Sequence, residues 1–383
     1  MNNDKKKNDN IRYIIISVFF IVTVLTFTVL SFIISDSDFS ENENRKLNLM
    51  PVPEASAVIY GSFTKDFEKY VQDQFPGRDR FMSLKTTAEL AAGKKDNGLV
   101  YFGADGYLFS VDSIDTDQLK ENIDSINTFA GRCGADITLM VVPTAAGVLN
   151  EKLPVQIPYR EEEEAFDCVT ENGKIPITDL RKVLREKSDE YIYYRTDHHW
   201  TTLGAFYAYQ YLSEKNPQKE DYSITEVSDR FLGTNYSKAL MSSIQPDSIL
   251  RFDPKDAENS FSVEIFDSAG KSIKRMDSFY DEEYLKVKDK YSYFLSGNNP
   301  VTVVKKNGAA EGEGNNLLVV KDSFAHCFIP FIAEEYDTVI AVDMRYYRNN
   351  LEDIMEKYGI DRVLFLYNIV NLSNDTNLVF INR

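Results

Sequence analysis

From residue 13 to residue 34 the chain carries no charged side chain, and the run opens Tyr13-Ile14-Ile15-Ile16-Ser17-Val18-Phe19-Phe20. A helix needs about 20 apolar residues to cross the ~30 Å hydrocarbon layer of a bilayer. The run therefore predicts a transmembrane helix, and the rest of the chain must fold on one side of it. Lys5, Lys6, Lys7 and Arg12 precede it, whereas Asp36, Asp38, Glu41 and Glu43 follow. Basic flanks stay inside, so residues 1–12 read as a cytoplasmic tail and the body as extracytoplasmic. A cleaved signal peptide has an apolar core of about 7–15 residues and a small-x-small cleavage site. This run is longer and no such site precedes the acidic segment, so the reading is a retained single-pass anchor of the cell membrane. Residues 35–60, polar and punctuated by Pro51 and Pro53, read as a linker. That leaves 61–383 as the folded domain.

With 43% hydrophobic residues, a body of this length can bury a sizeable core. The formal charge of −17, with no basic run beyond the first dozen residues, excludes nucleic acid as a partner. The abundant Tyr and Phe are read as core. Cys133, Cys168 and Cys327 are too few, and odd in number, for a disulfide framework. Cys327 reads as a small buried hydrophobe.

Along the body, Phe63, Phe67, Tyr70 and Val71 have helical spacing and lead to Phe75-Pro76, where proline disfavours further helix. Residues 99–109 read as a hairpin turning at Asp105-Gly106. Leu119, Ile123, Ile126 and Ala130 form one helical stripe behind a Thr116 cap, and 137–142 is a buried-type strand. Glu161 to Glu164 read as a solvated loop. Leu180, Val183 and Leu184 give another helix before a β-prone run at 191–194. Residues 216–315 break the alternation and read as a β-rich insertion, with a turn at Ala269-Gly270, a strand at 301–304 and a loop at 308–314. Alternation then resumes: strands at 317–320, 338–342 and 362–367, separated by helices. Strands alternating with helices imply a mainly parallel sheet covered on both faces, here expected to contain 137–142, 192–194, 317–320, 338–342 and 362–367.

The chemistry concentrates in Asp197-His198-His199-Trp200, which holds the sole Trp and two of the 3 His in the chain. Thr201 or Thr202 can cap a following helix, so the histidines fall at a strand-to-helix turn, where α/β sheets bind ligands. Lys321-Asp322-Ser323-Phe324 follows another strand in the same way. A serine hydroxyl becomes nucleophilic when a neutral imidazole takes its proton and a carboxylate fixes that imidazole. Ser323, either His198 or His199, and Asp197 supply these parts. A zinc site needs three or four ligands, and beyond this cluster only His326 remains, so no metal is expected. Trp200 can present a face to a sugar ring or pack the floor of the site.

Asp197-His198-His199-Trp200 resembles the signature of the DHHW family, membrane-anchored extracytoplasmic proteins related to the SGNH-like alginate O-acetylation proteins. The similarity extends through Glu41-Asn42-Glu43-Asn44-Arg45, Asp73 to Arg80, Val100 to Leu108, Arg195 to Ala205, Ser296-Gly297-Asn298-Asn299-Pro300 and Lys321-Asp322-Ser323-Phe324. The resemblance implies an α/β fold, an SGNH-hydrolase-like three-layer α/β/α sandwich with a mainly parallel sheet, circularly permuted so that the Asp-x-His element precedes the serine. By position it makes Ser323 the nucleophile, His199 rather than His198 the base, and Asp197 its orienter. Lys321 departs from the glycine that SGNH hydrolases usually carry before Asp-Ser. Asn368 and Asn371 stand where those proteins place an oxyanion asparagine, although an Asx turn accounts for them equally well. Arg345, after the 338–342 strand, is a further oxyanion or ligand candidate, and His198 and Trp200 are substrate-binding candidates.

The function this implies is O-acetylation of hydroxyls on a cell-surface or extracellular polysaccharide, through an acyl-serine and with no cofactor. A membrane-bound acyltransferase would deliver the acetyl group. The rivals are a carbohydrate acetylesterase using the same triad, and a non-catalytic glycan-binding or scaffold accessory of a polysaccharide synthesis complex.

Overall fold

The computed structural model describes residues 2–40, 42–43, 45–154, 160–241, 243–256, 260–310 and 314–383. Glu41, Asn44 and part of the loop expected at 308–314 lie outside the described residues. The chain divides into two compact units, one ending at Ala92 and taking in Leu240, the other running from Gly93 to Ala239 and from Ser243 to Arg383.

The first unit opens with a helix, Asn2–Ile33, whose Asn10–Ile33 portion is long and apolar enough to cross a membrane and is a candidate anchor or signal sequence. Helices Ser62–Asp73 and Arg78–Ala91 follow, separated by a turn through Gly77 at φ 75°, a conformation glycine adopts at little cost. One ion-pair network unites two of the sequence stretches quoted above. Arg45 donates to both oxygens of Asp73, at 2.6 and 3.0 Å, while Arg78 donates to Glu43 at 2.9 Å.

The second unit is mixed α/β around an eight-stranded sheet. Its strands are β1 Asp136–Val142, β2 Ile177–Asp179, β3 Phe261–Phe266, β4 Ser272–Met276, β5 Val301–Lys306, β6 Asn316–Lys321, β7 Thr338–Val342 and β8 Arg362–Asn368. They lie in the order β4-β3-β5-β7-β6-β8-β1-β2. From β7 to β2 every pairing is parallel, and β5, β3 and β4 complete the other edge in antiparallel register. Strand side chains alternate between faces: Leu317 and Val319 enter one core with Trp200, Phe206 and Phe328, whereas Leu318 and Val320 enter the other with Leu119, Phe166 and Leu351. Helices therefore cover both faces. The antiparallel hairpin Val100–Phe102 with Leu108–Ser110 turns through Asp105 and Gly106, as the sequence suggests.

Four expectations need correction. Residues 192–194 are not a strand of the sheet; β2 takes the edge beside β1 instead. The backbone of 192–194 is used locally, since Thr201 N donates to Ile192 O at 2.9 Å and Tyr194 N to His199 O at 3.2 Å. The stretch expected as an insertion is not set apart as a whole, because β3, β4 and β5 extend the sheet, while Tyr222–Phe231 and Asp247–Pro254 pair as a separate ribbon. Glu161 to Glu164 belong to the helix Arg160–Asn172, where carboxylates near the N-terminus suit the helix dipole. Glu162 is buried and accepts from Thr144 N and Oγ1. Finally, Asp115 rather than Thr116 caps the helix Thr116–Cys133, accepting from the N–H groups of Asp117 and Gln118.

Leu318 sits fully buried on a central strand. Leu318→Ala should destabilise the unit by about 2–5 kcal/mol through lost contacts and the cavity left behind. Urea unfolding of the variant checks this, and a shift under about 1 kcal/mol would mean the sheet centre collapses to refill the site.

Candidate active site

The Asp197-His198-His199-Trp200 segment forms the tip of a tight loop that leaves at Ile192 and returns at Thr201. Thr201 then caps the helix Thr202–Leu212, accepting from Gly204 N while donating to Tyr191 O at 2.7 Å. Gly204 is required by close approach: a Cβ there would stand 2.4 Å from Ile192 O. Asp247, on the separate ribbon, holds the loop's first half. It accepts from Arg195 N at 2.9 Å, Thr196 N at 2.7 Å, Thr196 Oγ1 at 2.5 Å and the Tyr191 hydroxyl.

Ser323 begins a short 3₁₀ turn, Ser323–Cys327, at the carboxyl end of β6. Asp322 shapes that turn. Its carboxylate accepts from Phe324 N at 2.8 Å, Asn368 N at 2.8 Å and Asn371 Nδ2 at 2.7 Å. Trp200 is buried and its Nε1 donates to Phe324 O at 2.9 Å, so it is the floor that ties loop and turn together rather than an open face for a sugar.

Between the two elements runs a hydrogen-bonded chain. His199 Nε2 lies 2.7 Å from Ser323 Oγ, and His199 Nδ1 lies 2.5 Å from Asp197 Oδ1. Asp197 also accepts from His199 N at 3.0 Å, Thr234 N at 2.8 Å and Thr234 Oγ1 at 3.0 Å. Burial alone would raise its pKa, but the neighbouring His198 and His199 side chains and these hydrogen bonds outweigh that and hold it well below the usual carboxylate range. An ionised Asp197 can only accept, which places a hydrogen on His199 Nδ1 and leaves Nε2 to accept from Ser323. Tyr291 stacks on His199 at 3.9 Å and donates its hydroxyl to Ser323 O at 3.1 Å. Nothing in its sequence context signals that role.

His198 faces elsewhere. Its Nδ1 is 2.7 Å from Thr234 Oγ1, and its ring lies 3.9 Å from that of His199. A cleft of about 660 Å³ is walled in part by His198, Thr234, Phe324, Asn368 and Asn371. Ser323 is 8% exposed and, with His199, is not part of that wall; Phe324 and His198 connect them to it. Asn368 caps the next helix through Oδ1 and spends one Nδ2 hydrogen on Val142 O at 3.1 Å. Asn371 is bound to Asp322. Arg345 is gripped by Asp343, Nε to Oδ1 at 2.9 Å and Nη2 to Oδ2 at 2.6 Å, with Asn298 Oδ1 at 3.2 Å. The Ser296–Pro300 stretch thus steadies Arg345, and Asn299 closes its turn by donating to three carbonyls.

Behind the serine lies a charge cluster that its sequence spacing did not reveal. Lys321, 2% exposed, has Nζ 2.7 Å from His326 Nε2 and 3.6 Å from Asp343 Oδ2. Burial, then Lys321, His199 and Arg345, pushes the His326 pKa well down, so His326 is a neutral acceptor there. Lys321 therefore points into this cluster. Asp197, His198 and His199 bring ligand atoms within 4.8 Å of one another. Two of those atoms are already bonded to each other and His198 Nδ1 is bonded to Thr234, so the group has few lone pairs free for an ion.

Sheet and site together define an α/β protein in which an Asp-His-Ser hydrogen-bonded chain joins a loop to the carboxyl end of a parallel strand. The chain belongs to the DHHW family, whose model matches residues 98–342. A DHHW family protein from Eubacterium siraeum has a similar structure, with TM-score 0.64 at 22% identity over 76% of this chain and 97% of that one. PatB1 from Bacillus cereus is similar both alone, with TM-score 0.61 at 22% identity over 74% and 99% of the two chains, and with a sulfonyl adduct, at 0.60 and 23% over 75% and 99%. These likenesses establish a common fold. No curated protein sequence matches the chain.

Asp343 is 1% exposed between Lys321 and Arg345. Asp343→Ala strands those cations and should cost about 3–5 kcal/mol in urea unfolding; an unchanged midpoint would contradict the pairing. Cys327 is fully buried, its Sγ 3.3 Å from the Tyr291 hydroxyl, and burial pushes its thiol pKa up to about 12. Iodoacetamide should label the partly exposed Cys133 in the native protein and reach Cys327 only after unfolding, which peptide mass mapping reads directly.

Proposed function

We propose that the chain is a membrane-anchored, extracytoplasmic O-acetyltransferase of SGNH-like, circularly permuted type, acting on hydroxyls of a cell-surface or extracellular polysaccharide. The observation that carries this reading is the chain Asp197–His199–Ser323, with 2.5 and 2.7 Å links. PatB1 has been solved with a sulfonyl adduct, and sulfonylating reagents react with activated hydroxyls, which agrees with a serine nucleophile on this fold.

In the first half-reaction Ser323 Oγ attacks the acetyl carbonyl of the donor as His199 Nε2 takes its proton. The donor's leaving group departs with that proton. In the second, an acceptor hydroxyl gives its proton to Nε2 and attacks the acetyl-serine, and Ser323 Oγ leaves and is reprotonated. Asp197 keeps the Nδ1 hydrogen in place and steadies the imidazolium. The oxyanion needs donors. Phe324 N and Ala325 N are bonded to Asp322, so the reading assigns this role to the Ser323 N–H, with the second Nδ2 hydrogen of Asn368 as partner. Arg345 and Asn371 act by holding Asp343 and Asp322.

The placement follows from the anchor: a tail at 1–12, a membrane helix at 13–34, a linker at 35–60 and the acting domain at 61–383. Acetyl-CoA is cytoplasmic, so acetyl must arrive from a membrane-bound acyltransferase partner.

An activated acetyl ester supplied with a polysaccharide acceptor tests the reading. Acetyl should appear on the acceptor, and Ser323→Ala and His199→Ala should each lower the rate by about 10³-fold or more while unfolding in urea much as the parent protein does. Release of acetate without transfer would instead identify an esterase. No turnover of any ester would identify an accessory.

A further inference from the structure

We propose that His198 selects the acceptor: its Nε2 receives a hydrogen bond from a sugar hydroxyl adjacent to the one that attacks the acetyl-serine, so the protein prefers vicinal diols. The inference rests on the transferase reading above and names the acceptor chemistry of that same site.

The tautomer of His198 follows from its neighbours. Thr234 Oγ1 stands 3.0 Å from Asp197 Oδ2, and a carboxylate only accepts, so the threonine hydrogen lies between those oxygens. That leaves Oγ1 to accept from His198, 2.7 Å away, and puts a hydrogen on His198 Nδ1. In a neutral ring Nε2 is then a bare acceptor. Neutrality agrees with the direction of its pKa: burial, then the neighbouring His199, lowers it to about 3 against the opposing Asp197 carboxylate. The side chain is 36% exposed and lines the cleft. With Nδ1 turned to Thr234, the opposite ring edge, which carries Nε2, is the one left for a ligand.

His198 lines the cleft, and its ring centroid lies 3.9 Å from that of His199, the two planes tilted by 37°, and His199 Nε2 serves the attacking hydroxyl. Two imidazole edges so close can receive two neighbouring hydroxyls of one ring at once. A site built to bond a hydroxyl discriminates against a substrate lacking it, so this second contact favours acceptors that carry the neighbouring hydroxyl.

The test uses the full-length protein in detergent, p-nitrophenyl acetate as donor, and methyl glucopyranoside or its singly deoxygenated analogues as acceptors. Nitrophenol release reports acetylation of the serine, and the ratio of acetyl-sugar to acetate reports the acceptor step. For the parent protein, removing the hydroxyl next to the acetylated one should lower that ratio about 10-fold. His198→Asn, which can keep the donor toward Thr234 but lacks an acceptor at the Nε2 position, should lower the ratio similarly. In that variant the deoxygenated sugar should lose nothing further, because the two changes remove one contact. His198→Gln, whose amide oxygen reaches the Nε2 position, should recover part of the ratio. Equal ratios for the diol and deoxy acceptors in the parent protein would overturn the proposal while leaving the transferase reading intact, and would do so even if a variant failed to fold. A loss in His198→Asn confined to nitrophenol release would also overturn it. Absence of any nitrophenol burst in the parent protein would overturn both.

Discussion

A buried carboxylate must have its lone pairs met, and Asp197 has them met by four donors from two segments: His199 N, His199 Nδ1, Thr234 N and Thr234 Oγ1. This one requirement sets the shape of the site. It fixes residues 197–199 against the start of the helix Thr234–Ala239, which is why Gly233 has no room for a side chain: a Cβ there would lie 2.3 Å from the Asp197 carboxylate. It chooses which nitrogen of His199 faces Ser323. Through Thr234 it also sets the tautomer of His198. Asp247 anchors the preceding two residues, so the first half of the loop and its tip are each tied by a buried acid.

The serine side is organised by the same logic with a different acid. Asp322 is occupied by two backbone N–H groups and Asn371, and this holds the 3₁₀ turn that presents Ser323. Burial raises the Asp322 pKa, with Asn371 and the two N–H groups opposing. Farther from the serine, Asp343 pairs with both Lys321 and Arg345, and His326 accepts from Lys321. Lys321, one of the residues just before the serine, is spent on that network.

Much of this was legible in the sequence because it rests on short-range rules. The near-continuous apolar runs in 137–142, 317–320, 338–342 and 362–367 mark strands buried on both faces, and all four lie parallel in the sheet. The rarity of histidine and tryptophan pointed to 197–200, and a serine after a strand pointed to 323. What failed depended on partners distant in sequence. The β-prone 191–194 run spends its hydrogen bonds on the returning side of its own loop, at His199 and Thr201, which propensity cannot foresee. The antiparallel edge formed by β3, β4 and β5 needs pairing information absent from local pattern. Glu162, Asp247 and Tyr291 look like ordinary surface or core residues, and their places in the site come only from contacts across tens of residues. The roles weighed for Asn371 and Arg345 turned on the same kind of information, since the carboxylates that hold them belong to other segments.

The central claim is that Ser323 Oγ carries the acetyl group. Full-length protein in detergent, mixed briefly with an activated acetyl ester, quenched in acid and digested, gives the direct measurement by tandem mass spectrometry. The account predicts an acetyl group on Ser323 that disappears when a sugar acceptor is added before the quench. Acetyl found on lysines or on Cys133 but absent from the Ser323 peptide would contradict it.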